Sequence, residues 1–207
     1  DAATDRMYVA LVRTYVYNVC LQVGWIDLTA AGPTYTFTTI VESEESGLTP
    51  QGSMMGFASG YGWMEVNTSA GYIIVSMEGV ASSWKGKLRI YDLATGGLWK
   101  EYDVDSNPTF PYRGLKRGLY DHDKGIIVGS CTYEALYGQA DYRGLCIIDT
   151  TTDIITYNRP PWASVNNYGL GNISLTDEGE YLIASNGYGI TLFDGTAWTL
   201  YDNDALP

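Results

Sequence analysis

The chain has 207 residues, of which 45% are hydrophobic and 17% are charged, a length that allows one core or a stack of small repeated units. Its formal net charge is −12, with few Lys and Arg residues, so nucleic acid and anionic membranes are excluded as expected partners because clustered cations bind both. No apolar run reaches the length of about 18 residues that a spanning helix needs, and we expect no membrane insertion.

Short β-rich segments, which we name strands A to D, recur along the chain with turn residues between them. The N-terminal stretch supplies strand B at 7–12, strand C at 24–27 and strand D at 35–40. Helical periodicity is nearly absent, because Gly, Thr, Tyr and Val interrupt the apolar runs that an amphipathic helix would need. The first unit is therefore predicted to have three strands and to lack strand A.

Three further units follow, each with all four strands in the same order. Their predicted strands are 62–67, 72–77, 88–92 and 98–103 in the second unit, 118–121, 125–130, 145–149 and 154–158 in the third, and 172–177, 181–186, 189–194 and 198–202 in the fourth. Four antiparallel strands in a repeated unit of this size are typical of a propeller blade.

We predict an all-β, β-propeller-like fold of about four blades of four antiparallel strands, with the first blade lacking strand A. Residues 1–207 would form a single propeller-type domain or part of one, with blades at approximately 1–41, 60–104, 117–158 and 171–203. A β-sandwich or a solenoid also fits short strands separated by turns, but the repeated order of the four strands favours blades.

Strand C ends on an aspartate in every unit, and the four positions are Asp27, Asp92, Asp149 and Asp194. Aspartate side chains commonly accept hydrogen bonds from the backbone amides of a following turn. We therefore expect these four carboxylates to be structural rather than catalytic.

The last unit resembles a known repeat. Its residues 168–207 include Gly189-Ile-Thr-Leu-Phe-Asp194, followed by Gly-Thr-Ala-Trp198, and this pattern is similar to the two-component-regulator propeller repeat. Tyr181 stands where that repeat usually has Trp, and Ala205 stands where it usually has Gly. Residues 62–158 resemble lactonase-like or quinoprotein-like propellers more loosely. The resemblance implies a blade fold and leaves the activity open, because such propellers sense, bind or scaffold.

Long connections are expected at one face of these blades. Adjacent strands alternate in direction, so the A–B and C–D turns lie at one face and the B–C and D–A connections at the other. The long connections are of the second kind and cover 78–87, 105–117, 132–144 and 159–170. Long loops on a rigid scaffold usually carry function, so this face is predicted to bind a partner.

Aromatic residues are concentrated in these loops, where they would anchor or stack on a sugar or a protein. The predicted binding residues are Trp84, Phe110, Tyr112, Arg113, Tyr133, Tyr137, Tyr142, Trp162 and Tyr168. The alternative is that the rings pack the loops onto the blades.

Catalytic and metal-binding patterns are scarce. His122 is the only histidine and falls in a short predicted A–B turn, and no CxxC spacing occurs. We therefore expect no enzyme activity, no cofactor and no metal. Cys131 and Cys146 lie on strands predicted to pair, so they form either a cross-strand disulfide or, with Cys20, three buried thiols.

The resulting hypothesis is a non-catalytic binding or scaffolding module that engages a protein or glycan. A surface rich in Tyr, Thr, Ser and Asn favours an extracytoplasmic setting, as a secreted, periplasmic, cell-surface or virion protein, including a structural component of such an assembly. The alternatives are a periplasmic sensor propeller and a lyase-type or lactonase-type enzyme. The incomplete first blade leaves open edges, so the chain is expected to be a fragment of a larger propeller or to be completed by other subunits.

Overall fold

The computed structural model describes ten stretches of the chain. They are residues 5–14, 18–29, 37–46, 63–77, 86–104, 115–131, 144–158, 160–161, 170–185 and 189–201. The described residues form β-strands and turns and include no helix. The chain divides into two compact units, with unit 1 covering Asp1–Gly60, Met64–Val75 and Leu88–Tyr102, and unit 2 covering Tyr61–Trp63, Ser76–Lys87 and Asp103–Pro207.

The strands form four antiparallel sheets that follow one another along the chain, and we call each sheet a blade. Blade 1 contains β1 (Arg6–Thr14), β2 (Asn18–Asp27) and β3 (Phe37–Ser46), and blade 2 contains β4 (Trp63–Asn67), β5 (Tyr72–Met77), β6 (Gly86–Asp92) and β7 (Leu98–Val104). Blade 3 contains β8 (Leu115–Asp121), β9 (Ile126–Cys131), β10 (Gly144–Asp149) and β11 (Ile154–Asn158), and blade 4 contains β12 (Leu170–Leu175), β13 (Tyr181–Ser185), β14 (Gly189–Phe193) and β15 (Trp198–Tyr201).

The strand order within every blade equals the order along the chain. The fold is therefore all-β and propeller-like, with four blades in succession, of which the first has three described strands. This confirms the predicted fold class. The single domain over residues 1–207 stays a prediction.

Several strand boundaries differ from the predicted ones, and the largest differences lie in blade 1, where β3 ends at Ser46 rather than at position 40. β2 begins at Asn18 rather than at Gly24, because Val19, Cys20 and Leu21 continue the antiparallel pairing with β1 as far as Thr14. These residue types favour strands, which explains the long hairpin. Lys116 and Arg117, assigned from sequence to the D–A connection, lie instead in β8.

The central strands of the blades form the core. In β5, residues 72–76 are all buried, as expected of a continuous apolar strand that is covered on both faces. The edge strand β7 instead alternates towards its end, where Tyr102 and Val104 are buried and Glu101 and Asp103 are exposed. Burial on both faces thus distinguishes β5 from the edge strand β7 of the same blade.

Blades 3 and 4 share one hydrophobic cluster within unit 2. Its buried members in the described part of the chain are Val128, Leu145, Ile173, Tyr181, Ile183 and Phe193. The Phe193 ring lies 4.6 Å from the Trp198 ring, measured between centroids. The Trp198 indole also donates a hydrogen bond of 2.9 Å to the Asn158 side chain, so the packed surface includes a polar link.

All four aspartates at the ends of the C strands accept hydrogen bonds from the turn that follows. Asp149 Oδ1 accepts from the backbone N of Thr151 at 2.8 Å and from its hydroxyl at 2.6 Å. The same arrangement with a threonine recurs at Asp27, Asp92 and Asp194. This confirms the predicted structural role of the four carboxylates.

The hydrogen bonds also change the acidity of these groups. The hydroxyl and amide donors of the turns hold the pKa of Asp27 and Asp92 below its ordinary value, and the backbone amides of Ala197 and Thr196 do the same for Asp194. For Asp149, donors led by the Thr151 hydroxyl lower the pKa to about 2.

Acid is expected to weaken the C–D turn of blade 3. Because the pKa of Asp149 is lowered to about 2 in the folded chain, its carboxylate stabilises the fold above about pH 4, and this contribution disappears as the pH falls towards about 2. Asp149→Asn should therefore make the decline in thermal midpoint between about pH 4 and about pH 2 shallower.

Thermal unfolding followed by circular dichroism over this pH series measures the effect. Thr151→Val keeps the carboxylate but removes the hydroxyl donor, so the acid transition should move to higher pH. Identical acid profiles for the wild type and both variants would contradict the role of this turn.

The cysteine register favours thiols over a disulfide. Cys146 is a buried thiol, and its cross-strand neighbour on β9 is Gly129. Cys131 lies opposite Gly144. The two cysteines are therefore not directly opposed, in agreement with the prediction of a buried thiol at Cys146.

Candidate functional site

The predicted binding residues lie outside the part of the chain that the structure describes. This applies to Trp84, Phe110, Tyr112, Arg113, Tyr133, Tyr137, Tyr142, Trp162 and Tyr168. The structure does describe the ends of the strands to which the loops with these residues are attached. We call the end of a blade with the B–C and D–A connections its loop end, and the opposite end its turn end.

Three loop-carrying strand ends lie side by side in blade 3. Leu115, where the D–A connection ends, and Gly144, where the B–C connection ends, are both register partners of Cys131. Cys131 is also the last residue before the B–C connection. Segments 105–114 and 132–143 therefore join the blade at neighbouring backbone positions.

A buried serine, Ser76, joins the end of β5 in blade 2 to the start of β8 in blade 3. The Ser76 hydroxyl donates to the Leu115 carbonyl at 3.0 Å and accepts from the Leu115 amide, also at 3.0 Å. Ser76 lies near the end of β5, just before segment 78–85. One side chain thus satisfies both backbone groups at the start of β8 and holds two loop-carrying strands together.

Two charged residues lie at the loop end of blade 2, near the start of β6 and near the end of β7. Lys87 Nζ lies 3.8 Å from Asp103 Oδ1, and both side chains are partly exposed. Lys87 follows segment 78–85 and Asp103 precedes segment 105–114. An exposed pair of this kind contributes little to stability, but it places charges of both signs beside the roots of two loops.

A second serine occupies the equivalent position in blade 3. Gly71 and Gly125 both close A–B turns with positive φ, and Ser76 and Ser130 lie at the same distance along strand B from these glycines. The Ser130 hydroxyl is fully buried, and within the described ranges it has no hydrogen-bond partner. Both serines therefore lie at the loop ends of their blades.

A polar network joins blades 3 and 4 at the turn end. The Tyr181 hydroxyl donates to Asp121 Oδ2 at 3.1 Å, and Lys124 Nζ lies 3.2 Å from the same oxygen. Lys124 also donates to the Gly179 carbonyl at 2.6 Å. The A–B turn of blade 3 is in this way bound to that of blade 4.

The electrostatics of this network favour an ionised aspartate beside a neutral tyrosine. Burial tends to raise the pKa of Asp121, but hydrogen bonds from Lys124 and Tyr181 outweigh this effect and leave the pKa below its ordinary value. Burial and the hydrogen bond to Asp121 raise the pKa of Tyr181. The pair is thus a stable donor and acceptor that connects two blades.

His122 lies beside this network, in the A–B turn of blade 3 as predicted. It is exposed, and its ring centroid lies 4.5 Å from that of Tyr120. Across the residues open to description, no three potential metal-binding side chains come together. Nor do those residues include a helix long and apolar enough to cross a bilayer.

Comparison with known proteins does not assign the chain to a family. No family model matches the sequence, and no curated protein is significantly similar to it. The resemblance of residues 168–207 to the two-component-regulator propeller repeat therefore stays a prediction.

Sequence reasoning missed Ser76, Ser130 and the contact of Asp121 with Tyr181. For Ser76 and Ser130, the sequence contained one signal, a serine near the end of strand B in two successive blades. Asp121 and Tyr181 are sixty positions apart, and nothing in either segment indicates that their blades meet. Only the packing of blade 4 on blade 3 reveals that contact.

Proposed function

We propose that this chain is a non-catalytic binding or scaffolding module that engages a protein or glycan through the long connections at the loop ends of its blades. Its setting would be extracytoplasmic, at a cell surface, in the periplasm, in a secreted form or in a virion. The loops would supply aromatic anchors, and the blades would hold those anchors in place.

The observation that supports this proposal is the clustering of loop roots in unit 2. Ser76 binds the backbone of Leu115, and Leu115 lies beside Cys131 and Gly144 in the register. Segments 78–85, 105–114 and 132–143 thus start or end within one small region. Such convergence lets residues distant in sequence contribute to one binding surface.

The test is simultaneous truncation of three loop aromatics. Trp84→Ala, Tyr137→Ala and Trp162→Ala, combined in one chain, should weaken binding by about tenfold or more, since one anchoring aromatic contributes about 1–2 kcal/mol or more. Binding is measured on arrays of purified glycans and of purified cell-surface and secreted proteins. The thermal midpoint should change by less than about 3 °C.

Trp99→Ala is the matched control. Trp99 has 64% of its surface exposed and lies at the start of β7, at the turn end of blade 2. This control should bind like the wild type. Equal loss of binding in both variants, or unfolding of the triple variant, would contradict the proposal.

A further inference from the structure

The packing of blade 4 on blade 3 defines two kinds of blade face. The forward face of blade 3 is the one that blade 4 covers, and it carries Leu119, Val128, Leu145 and Ile147. The rear face of blade 4 is the one that packs against it, and it carries Ile173, Tyr181, Ile183, Phe193 and Trp198. Apolar side chains thus dominate both sides of an interface between consecutive blades.

The forward face of blade 4 repeats that of blade 3. Asp149 and Asp194 end the two C strands and hold the same kind of turn, so they align the blades. In this alignment three of the four apolar positions on the forward face of the two central strands of blade 3 have an apolar counterpart in blade 4: Val128 with Leu182, Leu145 with Ile190, and Ile147 with Leu192. The fourth, Ile126, corresponds to Glu180.

This forward face of blade 4 is open to solvent. Leu182 and Tyr201 have 37% and 41% of their surface exposed, and Ala184 beside them is exposed. Ile190 and Leu192 are half-buried. In blade 3 the equivalents of Leu182 and Ile190, which are Val128 and Leu145, are completely buried, and Ile147, the equivalent of Leu192, is half-buried. Blade 4 thus presents a surface of the kind that another blade covers in blade 3.

Blade 1 carries a rear face of matching character. Asp27 aligns blade 1 with the other blades, and the register then gives four apolar residues of its rear face a counterpart on the rear face of blade 4: Met7 with Tyr181, Val9 with Ile183, Ile26 with Phe193, and Phe37 with Trp198. Met7 has 46% of its surface exposed. Val9, Ile26 and Phe37 are half-buried.

We propose that the forward face of blade 4 binds the rear face of blade 1 in a second copy of the chain. This contact would resemble the interface between blades 3 and 4. The forward face of blade 4 would take the part of the forward face of blade 3, and the rear face of blade 1 would take the part of the rear face of blade 4. Because two different faces meet, the interface is heterologous and extends from copy to copy unless the rotation closes a ring. The formal charge of −12 opposes this association, so salt should promote it.

The first measurement is the molecular mass of the purified chain in solution. Sedimentation velocity between about 1 and about 100 µM should show species of at least about twice the monomer mass in the wild type, more of them at high salt. Leu182→Lys places a charge on the forward face of blade 4, and Met7→Lys places a charge on the rear face of blade 1, so each disrupts one side of the proposed interface. Each variant alone should remain monomeric over this range.

Mixing the two variants gives the decisive result. A Met7→Lys chain retains its blade 4 face and a Leu182→Lys chain retains its blade 1 face, so an equimolar mixture should form a dimer that grows no further. A monomeric wild type would overturn the proposal, because something other than a second copy would then cover the face. Assembly of Met7→Lys alone, or a mixture that stays monomeric, would overturn it as well.

Two controls separate loss of the interface from loss of the fold. Leu98→Lys places the same charge at an apolar residue with 53% exposure on β7, and this variant should assemble like the wild type. Circular dichroism checks that every variant is folded. Ala184→Glu, at another exposed position of the same face, replaces Leu182→Lys if the latter unfolds, and the same outcomes then decide.

Discussion

Gly96→Ala should destabilise unit 1 by about 2–5 kcal/mol, the sum of about 1–2 kcal/mol for a left-handed backbone and about 1–3 kcal/mol for overpacking. Gly96 has a φ of 69°, and a Cβ atom there would collide with the carbonyl oxygen of Ile40 in β3 and lie 3.0 Å from its carbonyl carbon. Backbone atoms cannot rotate away as a side chain does, so β3 must shift.

Gly71→Ala is the matched control for this substitution. Gly71 also lies in unit 1 and has a φ of 75°, but a Cβ atom there would meet nothing within 4 Å. It should lose only the conformational part, about 1–2 kcal/mol. Chemical unfolding followed by fluorescence measures both variants, and equal losses would show that the contact with Ile40 carries no weight.

Phe193→Ala should produce a loss of similar or greater size in unit 2. Phe193 is completely buried, and its ring lies 4.6 Å from Trp198 and 6.4 Å from Tyr181, measured between centroids. Removing a buried phenylalanine costs about 3–5 kcal/mol, because the apolar surface is lost and a cavity remains. A typical domain is stable by only about 5–15 kcal/mol, so this variant should be close to unfolding.

Tyr157→Ala tests whether burial causes that loss. Tyr157 is an aromatic residue of blade 3 on the edge strand β11, with 39% of its surface exposed. We expect its truncation to cost about 1 kcal/mol or less. Guanidinium unfolding of both variants at one temperature gives the comparison. A loss below about 1 kcal/mol for Phe193→Ala would mean that the interface between blades 3 and 4 is not a packed core.

The local features of the fold could be predicted from the sequence. The run from Tyr72 to Met77 indicates a buried strand by its apolar residues alone, and Asp149 followed by Thr150 and Thr151 indicates a turn with amide donors. Both features depend on residues close together in the chain. Strand ends could not be predicted in the same way, because the pairing of Val19 with Thr14 depends on the partner strand.

The candidate site could be predicted only in part. The long B–C and D–A connections were visible as gaps between strands, and the aromatic residues within them remain a prediction. The hydrogen bonds between Ser76 and Leu115 could not be predicted, since they join segments that are distant in sequence. A serine near a strand end has many possible partners until the packing of the blades is known.

The sequence by itself determined that the chain is a series of antiparallel blades, each with an aspartate that closes strand C. Periodicity, turn residues and local hydrogen bonding suffice for that, because they act within one blade. Only the tertiary structure decided which faces are covered. It buries Val128 beneath blade 4 and leaves the equivalent Leu182 exposed. Both residues are apolar members of a central strand, so their different burial arises from the neighbouring blade and not from their own sequence.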